Sequence, residues 1–159
     1  MRTIGIDPGY ERCGIAVVEK INSKEVLLFS DCAIADKELP IGERLFKIAK
    51  QIQKVIDDFN PDNMGIEKLF FSNNQKTAGG VNEARGMILS KAAENNLPVF
   101  EYTPAQIKVA VTGYGKSDKK QIIFMIPKLL KIEKKIKHDD EYDAIAIALT
   151  CIASINTPR

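Results

Sequence analysis

No apolar run in the sequence approaches the roughly twenty residues of a membrane helix, which excludes a spanning segment. The first apolar stretch is interrupted by Asp7, which argues against a secretory leader. Cysteine is scarce. Cys13, Cys32 and Cys151 are odd in number, scattered and without a CxxC spacing. They speak against a zinc site and fit a reduced, cytoplasmic protein. There is a single histidine, His138, which reads as an exposed connector residue. No internal repeat, low-complexity tract or linker divides the 159 residues, so residues 1–159 read as one domain. A chain of this size buries roughly 70% of its unfolded surface and needs neither disulfide nor structural metal. With 45% hydrophobic and 28% charged residues it is neither disordered nor fibrous.

Charge is present but unevenly placed. Residues 104–138 hold nine lysines against two acids, Asp118 and Glu133, a net +7. The remaining residues hold fourteen Lys or Arg and nineteen acids, a net −5. A basic segment on an acidic chain suits an anionic polymer such as nucleic acid. A solubilising helix face would look the same.

Periodicity orders the elements. Residues 2–7, 13–18 and 26–34 are β-branched or apolar runs joined by short turns, the first turn being Asp7-Pro8-Gly9. They predict three antiparallel strands. From Pro40, Ile41, Leu45, Ile48, Ile52, Val55, Ile56 and Phe59 form one stripe at helical spacing, closed by Asn60-Pro61. Residues 64–67 predict a fourth strand and 70–76 a loop. Residues 77–95 predict a helix rich in small residues, suited to close approach of a partner element. Residues 97–102 predict a fifth strand. Thr103-Pro104 opens a short helix, and Ser117 is placed to cap the next one, which Pro127 should kink or end. A last helix is expected from about Asp139 to Ile155, with Ala144, Ala146 and Ala148 on its core face. This is an α/β chain with a five-stranded mixed sheet, three strands antiparallel and two reached by crossovers.

Acids fall at the ends of these elements. Asp7 ends the first strand, Glu67 ends the fourth, and Asp140 and Asp143 share a face of the last helix. An acid ending an apolar strand is costly unless solvated, paired or metal-bound. Each has an ordinary explanation: Asp7 as a turn former, Glu67 as a solvated strand end, Asp139 to Glu141 as the negative first turn of a helix. Together, and beside the basic segment, they read better as a site. An oxygen-only cluster suits Mg²⁺ or Mn²⁺. Two such ions can activate water and stabilise the leaving oxygen of a phosphodiester.

Those residues also carry a family resemblance. Gly5-Ile6-Asp7-Pro8-Gly9 with Gly14, Ile66-Glu67 with Phe70, and Glu83-Ala84-Arg85-Gly86 resemble RuvC, the bacterial Holliday-junction resolvase family. Pro98-Val99-Phe100-Glu101-Tyr102 with Gln106-Ile107-Lys108, Gly113-Tyr114-Gly115 with Lys119 and Gln121, and Asp140-Glu141-Tyr142-Asp143-Ala144 match in the same order. The resemblance implies an RNase H-like fold and a homodimer with its dimer helix at 77–95. It implies two active sites facing strands of like polarity in a four-way junction, in DNA recombination and repair. It assigns catalysis and metal binding to Asp7, Glu67, Asp140 and Asp143, with Mg²⁺ and attacking water leaving a 5′-phosphate. It implies that Phe70 stacks on an unpaired base, that Lys108 and Lys119 contact DNA, with Lys120 beside them, and that a branch-migration motor is a partner. Tyr10-Glu11-Arg12 departs from the smaller residues frequent in the family.

The nearest competing reading is a YqgF-type nuclease of the same fold acting on ribosomal RNA precursors. It shares the Asp-x-Gly opening but is not expected to carry the Phe-Glu-Tyr strand followed by Lys108, Gly115 and Lys119. An ATP-binding kinase-like fold needs two such domains and a longer chain. A non-catalytic junction binder would be expected to lack one of the four acids.

Overall fold

The computed structural model describes residues 1–68 and 75–155, with side chains of the helix opening at Gln75 described from Gly79 onward. The described strands are β1 (Arg2–Asp7), β2 (Arg12–Ile21), β3 (Lys24–Ile34), β4 (Asn63–Glu67) and β5 (Val99–Tyr102). The helices are α1 (Ile41–Phe59), α2 (Gln75–Glu94), α3 (Pro104–Thr112), α4 (Lys119–Leu129) and α5 (Asp139–Ile155). The sheet order is β3-β2-β1-β4-β5. The first three strands pair antiparallel, and β4 pairs parallel with both β1 and β5. Parallel neighbours need crossovers, and α1 and α2 supply them.

The pleat sorts the sheet into two faces. Ile4, Ile6, Ile15, Val17, Met64 and Ile66 meet Ile48, Ile52, Val55 and Ile56 of α1 and Ile88 and Ala92 of α2. The opposite face carries α5, whose residues Ala144 to Ile152 are buried throughout, with α3 and α4 packed beside it. Glycines make that crossing possible. A Cβ at Gly5 would lie 2.3 Å from the Ala144 carbonyl oxygen, and one at Gly14 would lie 1.9 Å from that of Asp140. Neither position can hold a larger residue while α5 stays where it is.

One capping expectation is revised, and three other local expectations are refined. The residue capping α4 is Asp118, whose carboxylate accepts from the Gln121 N–H while Gln121 reaches back. Ser117 is instead buried, its hydroxyl bonded to the Tyr114 carbonyl. Pro127 does not stop α4 at once; the helix continues to Leu129 and closes at extended Leu130. Close approach to the small residues of α2 occurs at Gly80, against the Tyr10 ring, whereas Gly79 and Gly86 face open space. α2 also begins two residues before Thr77, at Gln75. Phe70 and most of its polar loop lie outside the described residues.

Candidate active site

Strand alternation decides where Asp7 and Glu67 point. Ile4 and Ile6 face α1, so Asp7, one residue past Ile6, faces α5. Met64 and Ile66 impose the same on Glu67. The parallel register pairs Ile6 with Ile66, so the two acids leave the sheet side by side at the carboxyl ends of adjacent strands. α5 begins over the same place, with Asp140 in its first turn and Asp143 three residues on. Thr103 caps α3 through a hydrogen bond from the Gln106 N–H at 3.2 Å, which orients the helix bearing Lys108. Lys119 opens α4. Asp7, Glu67, Asp143, Lys108 and Lys119 line one cleft of about 320 Å³, walled by Pro104, Ile107 and Ile122.

The acids disturb one another. Burial pushes Asp7 well above the usual carboxylate range, and Asp143, Glu67 and Asp140 push it further, opposed by Lys119. Burial raises Glu67, Asp143 adds to the rise, and Lys108 and Lys119 oppose it. Asp143 is raised by burial, although Lys119 donates to its Oδ2 at 2.8 Å. Burial alone would lower Lys119, but its bond to Asp143 and the surrounding acids raise it on balance. Asp140 Oδ2 is sealed from solvent without a hydrogen-bond donor, and the Arg12 Nε stands 3.4 Å away as a charge contact.

These features test the fit to a divalent cation. Among the described residues no three His, Cys, Asp or Glu side chains form a closed donor set, and Asp143 is turned to Lys119. The donor chemistry nevertheless fits a hard ion. All four acids offer only oxygen, burial opposes the charged form of three of them, and one buried oxygen has no donor. Asp7, Glu67, Asp140 and Asp143 are the residues that would hold it.

The fold thus collects Asp7, Glu67, Asp143, Lys108 and Lys119 in the cleft and sets Asp140 at its edge, near enough to raise Asp7. Lys120, next along α4, is exposed and does not line the cleft, so Lys119 is the inward lysine. Two supporting residues went unassigned in the sequence reading. Arg85 of α2 donates to the Glu67 carbonyl at 3.1 Å and pairs with Glu101 at 2.7 Å, bracing the end of β4. Its only sequence signal was its place in Glu83-Ala84-Arg85-Gly86. Arg12, beside Asp140, has no sequence signal beyond its place in Tyr10-Glu11-Arg12.

A mixed sheet with two acids at the ends of its central parallel strands, covered by a helix bearing two more, defines the RNase H-like class of nucleases. The family model for crossover junction endodeoxyribonuclease RuvC matches residues 3–151. The chain belongs to this family of hydrolytic nucleases, whose members are metal-dependent. It is 43% identical over 148 residues to the crossover junction endodeoxyribonuclease RuvC of Thermotoga petrophila, covering 93% of this chain and 90% of the relative. It is 39% identical over 157 residues to that of Fusobacterium nucleatum, covering 99% and 83%. T. thermophilus RuvC in complex with a Holliday junction substrate superposes with a TM-score of 0.86 at 32% identity, over 94% of this chain and 92% of that one. The yeast mitochondrial Holliday junction resolvase, 16% identical with a TM-score of 0.67, covers 93% of this chain and 76% of its own and shares the fold.

Proposed function

We propose that this protein resolves four-way DNA junctions, cutting two strands of like polarity by phosphodiester hydrolysis that leaves 5′-phosphates, in recombination and repair. The observation that carries it is the cleft in which Asp7, Glu67 and Asp143 converge with Lys108 and Lys119, in a chain of this family.

The chain's own residues divide the work. Asp7 and Glu67, fixed on neighbouring strands, and Asp140 and Asp143, fixed on α5, form the cation site. Bound there, Mg²⁺ (two ions per site, with Mn²⁺ able to substitute) supplies an acidified water and charge neutralisation at the leaving oxygen. Lys108 and Lys119 stand on two different helices at the cleft, so they hold a phosphate from two sides and set its register. Lys120 on the exposed flank extends that contact along the backbone. Ile107 and Ile122 wall the cleft with apolar surface that limits water and strengthens each charge within it. Phe70 stacks on a base unpaired at the crossover, since an aromatic face accepts any base.

Paired cutting calls for two copies. α2 is the dimer helix of this proposal. Ala84, Ile88 and Ala92 are spent on the core, while Gly79, Asn82, Glu83 and Gly86 stay exposed along its other side. A branch-migration motor is the further partner, and the cytoplasm the compartment, in keeping with three free cysteines.

The test is incubation of the protein with a synthetic four-way junction, with and without Mg²⁺, and end-mapping of the products. Paired nicks bearing 5′-phosphates, present only with the ion, are expected. Failure to cut in its presence by a folded protein that binds the junction would overturn the assignment.

A further inference from the structure

Glu141 stands between two of the acids just described, yet it faces away from the cleft. The residue is 3% exposed, the deepest placement of any acid among the described residues. Its Oε2 accepts from the Ser30 hydroxyl at 3.0 Å and from Lys134 Nζ at 2.7 Å. Lys134 also donates to the Ser30 carbonyl. One carboxylate therefore ties three elements together: the edge strand β3, the connector between α4 and α5, and the first turn of α5. The turn it anchors carries Asp140, and Asp143 follows three residues later.

That anchorage answers a mechanical need. The charges of Asp140, Asp143 and Glu67 all act on Asp7 and repel it. Without a cation between them, that repulsion opposes the seating of the start of α5 on the sheet. On the sheet side Gly14 permits the approach of Asp140, and Arg12 at the start of β2 meets its carboxylate with a 3.4 Å charge contact from a largely exposed side chain, not a hydrogen bond. The buried hydrogen bonds at Glu141 add the firmer hold. A buried carboxylate joined to both a lysine and a hydroxyl has a narrow geometry, because any displacement leaves a charge without its partner.

We propose that the Lys134–Glu141–Ser30 clamp is a positioning device for the nuclease centre, holding the first turn of α5 against β3 so that Asp140 and Asp143 keep the spacing a cation requires. None of the three residues touches the cleft. They act through α5, as outer-sphere partners do for metal ligands in general. The proposal rests on the nuclease reading above, and its experiment separates the two.

Glu141→Gln keeps the shape and an oxygen for Ser30 but leaves Lys134 without its counter-charge. In the full-length protein it is expected to lower kcat on a four-way junction by about tenfold and to raise the Mg²⁺ concentration at half-maximal rate, in line with outer-sphere losses. Junction affinity measured without metal stays at the wild-type value. Lys134→Arg alone, which retains the charge and the donors beside an intact Glu141, leaves both parameters near wild type. A second readout needs neither DNA nor metal: backbone amide deuterium exchange at residues 139–143, faster in Glu141→Gln and in the milder Ser30→Ala. If Glu141→Gln does not fold, Ser30→Ala carries the test by the same measurements. Wild-type kcat, Mg²⁺ midpoint and exchange in a folded variant overturn the clamp. So does a loss confined to junction affinity, which would make Lys134 a phosphate contact. Absence of cutting by the wild-type protein overturns the nuclease reading instead, and the exchange data still decide the clamp.

Discussion

Gly14→Ala puts the whole arrangement under one measurable strain. The new Cβ would lie 1.9 Å from the Asp140 carbonyl oxygen, 2.6 Å from its carbonyl carbon and 3.2 Å from the Ala144 Cβ. Ordinary contact begins at 3.4 Å, so the first turn of α5 must retreat by about 1.5 Å, the difference between 3.4 and 1.9 Å. β2 cannot yield, because it is paired on both sides, to β1 and to β3. The Asp140 carboxylate rides on the residue that moves. Misplacement of a reacting group by about 1 Å costs on the order of a hundredfold in rate. Overpacking of this kind costs about 1–3 kcal/mol of stability. In a chain of this size each kcal/mol lowers Tm by about 2–4 °C. Single-turnover cleavage of a labelled junction at saturating enzyme, with a thermal melt of the same preparation, measures both. Cleavage should fall by about two orders of magnitude while metal-free junction binding is retained. Gly42→Ala is the control: no atom lies within 4 Å of its Cβ, and cleavage should not change. A folded Gly14→Ala protein cutting at the wild-type rate would refute the claim that α5 must seat this closely for Asp140 to act.

Asp7→Asn should abolish cutting, leave junction binding intact and raise the Tm of the metal-free protein, because it removes a carboxylate whose charge is opposed first by burial and then by Asp143, Glu67 and Asp140; an unchanged Tm would deny that cost. The same cause gives a pH dependence. Asp7, Glu67 and Asp143 titrate above their ordinary values in the folded state, so the native protein holds protons that the unfolded chain has released. Metal-free stability should therefore rise as pH is lowered from neutral through the raised values, and level off below the ordinary ones of 3.8 and 4.5. Saturating Mg²⁺ should flatten that rise, which denaturant melts across pH would detect. Lys108→Ala should weaken junction binding without regard to sequence and reduce the salt slope by about 1, as expected for one lost phosphate contact. An unchanged slope would remove Lys108 from the interface.

Much of this architecture is local, and local signals reach the sequence directly. The stripe from Ile41 to Phe59 has helical period, so α1 follows from burial of one face. The alternation that sends Ile4, Ile6, Met64 and Ile66 one way also sends Asp7 and Glu67 the other, because the pleat has a period of two. Even the last helix is bounded correctly, from Asp139 to Ile155. Ser117 and Asp118 show the weak point of such reading. Both are capping residue types, and Asp118 caps because the Ser117 hydroxyl is drawn into the core. Tertiary structure alone decided that Lys119 rather than Lys120 enters the cleft, that Arg85 braces β4, and that Glu141 turns away from its neighbours to meet Lys134 and Ser30. These are contacts between residues far apart in the chain, set by how elements cross. The sequence determines which side of each element is apolar and where its acids lie. Only the packing of α5 onto Gly5 and Gly14 determines how near those acids come to one another, and with that distance their charge repulsion and their capacity to hold a cation.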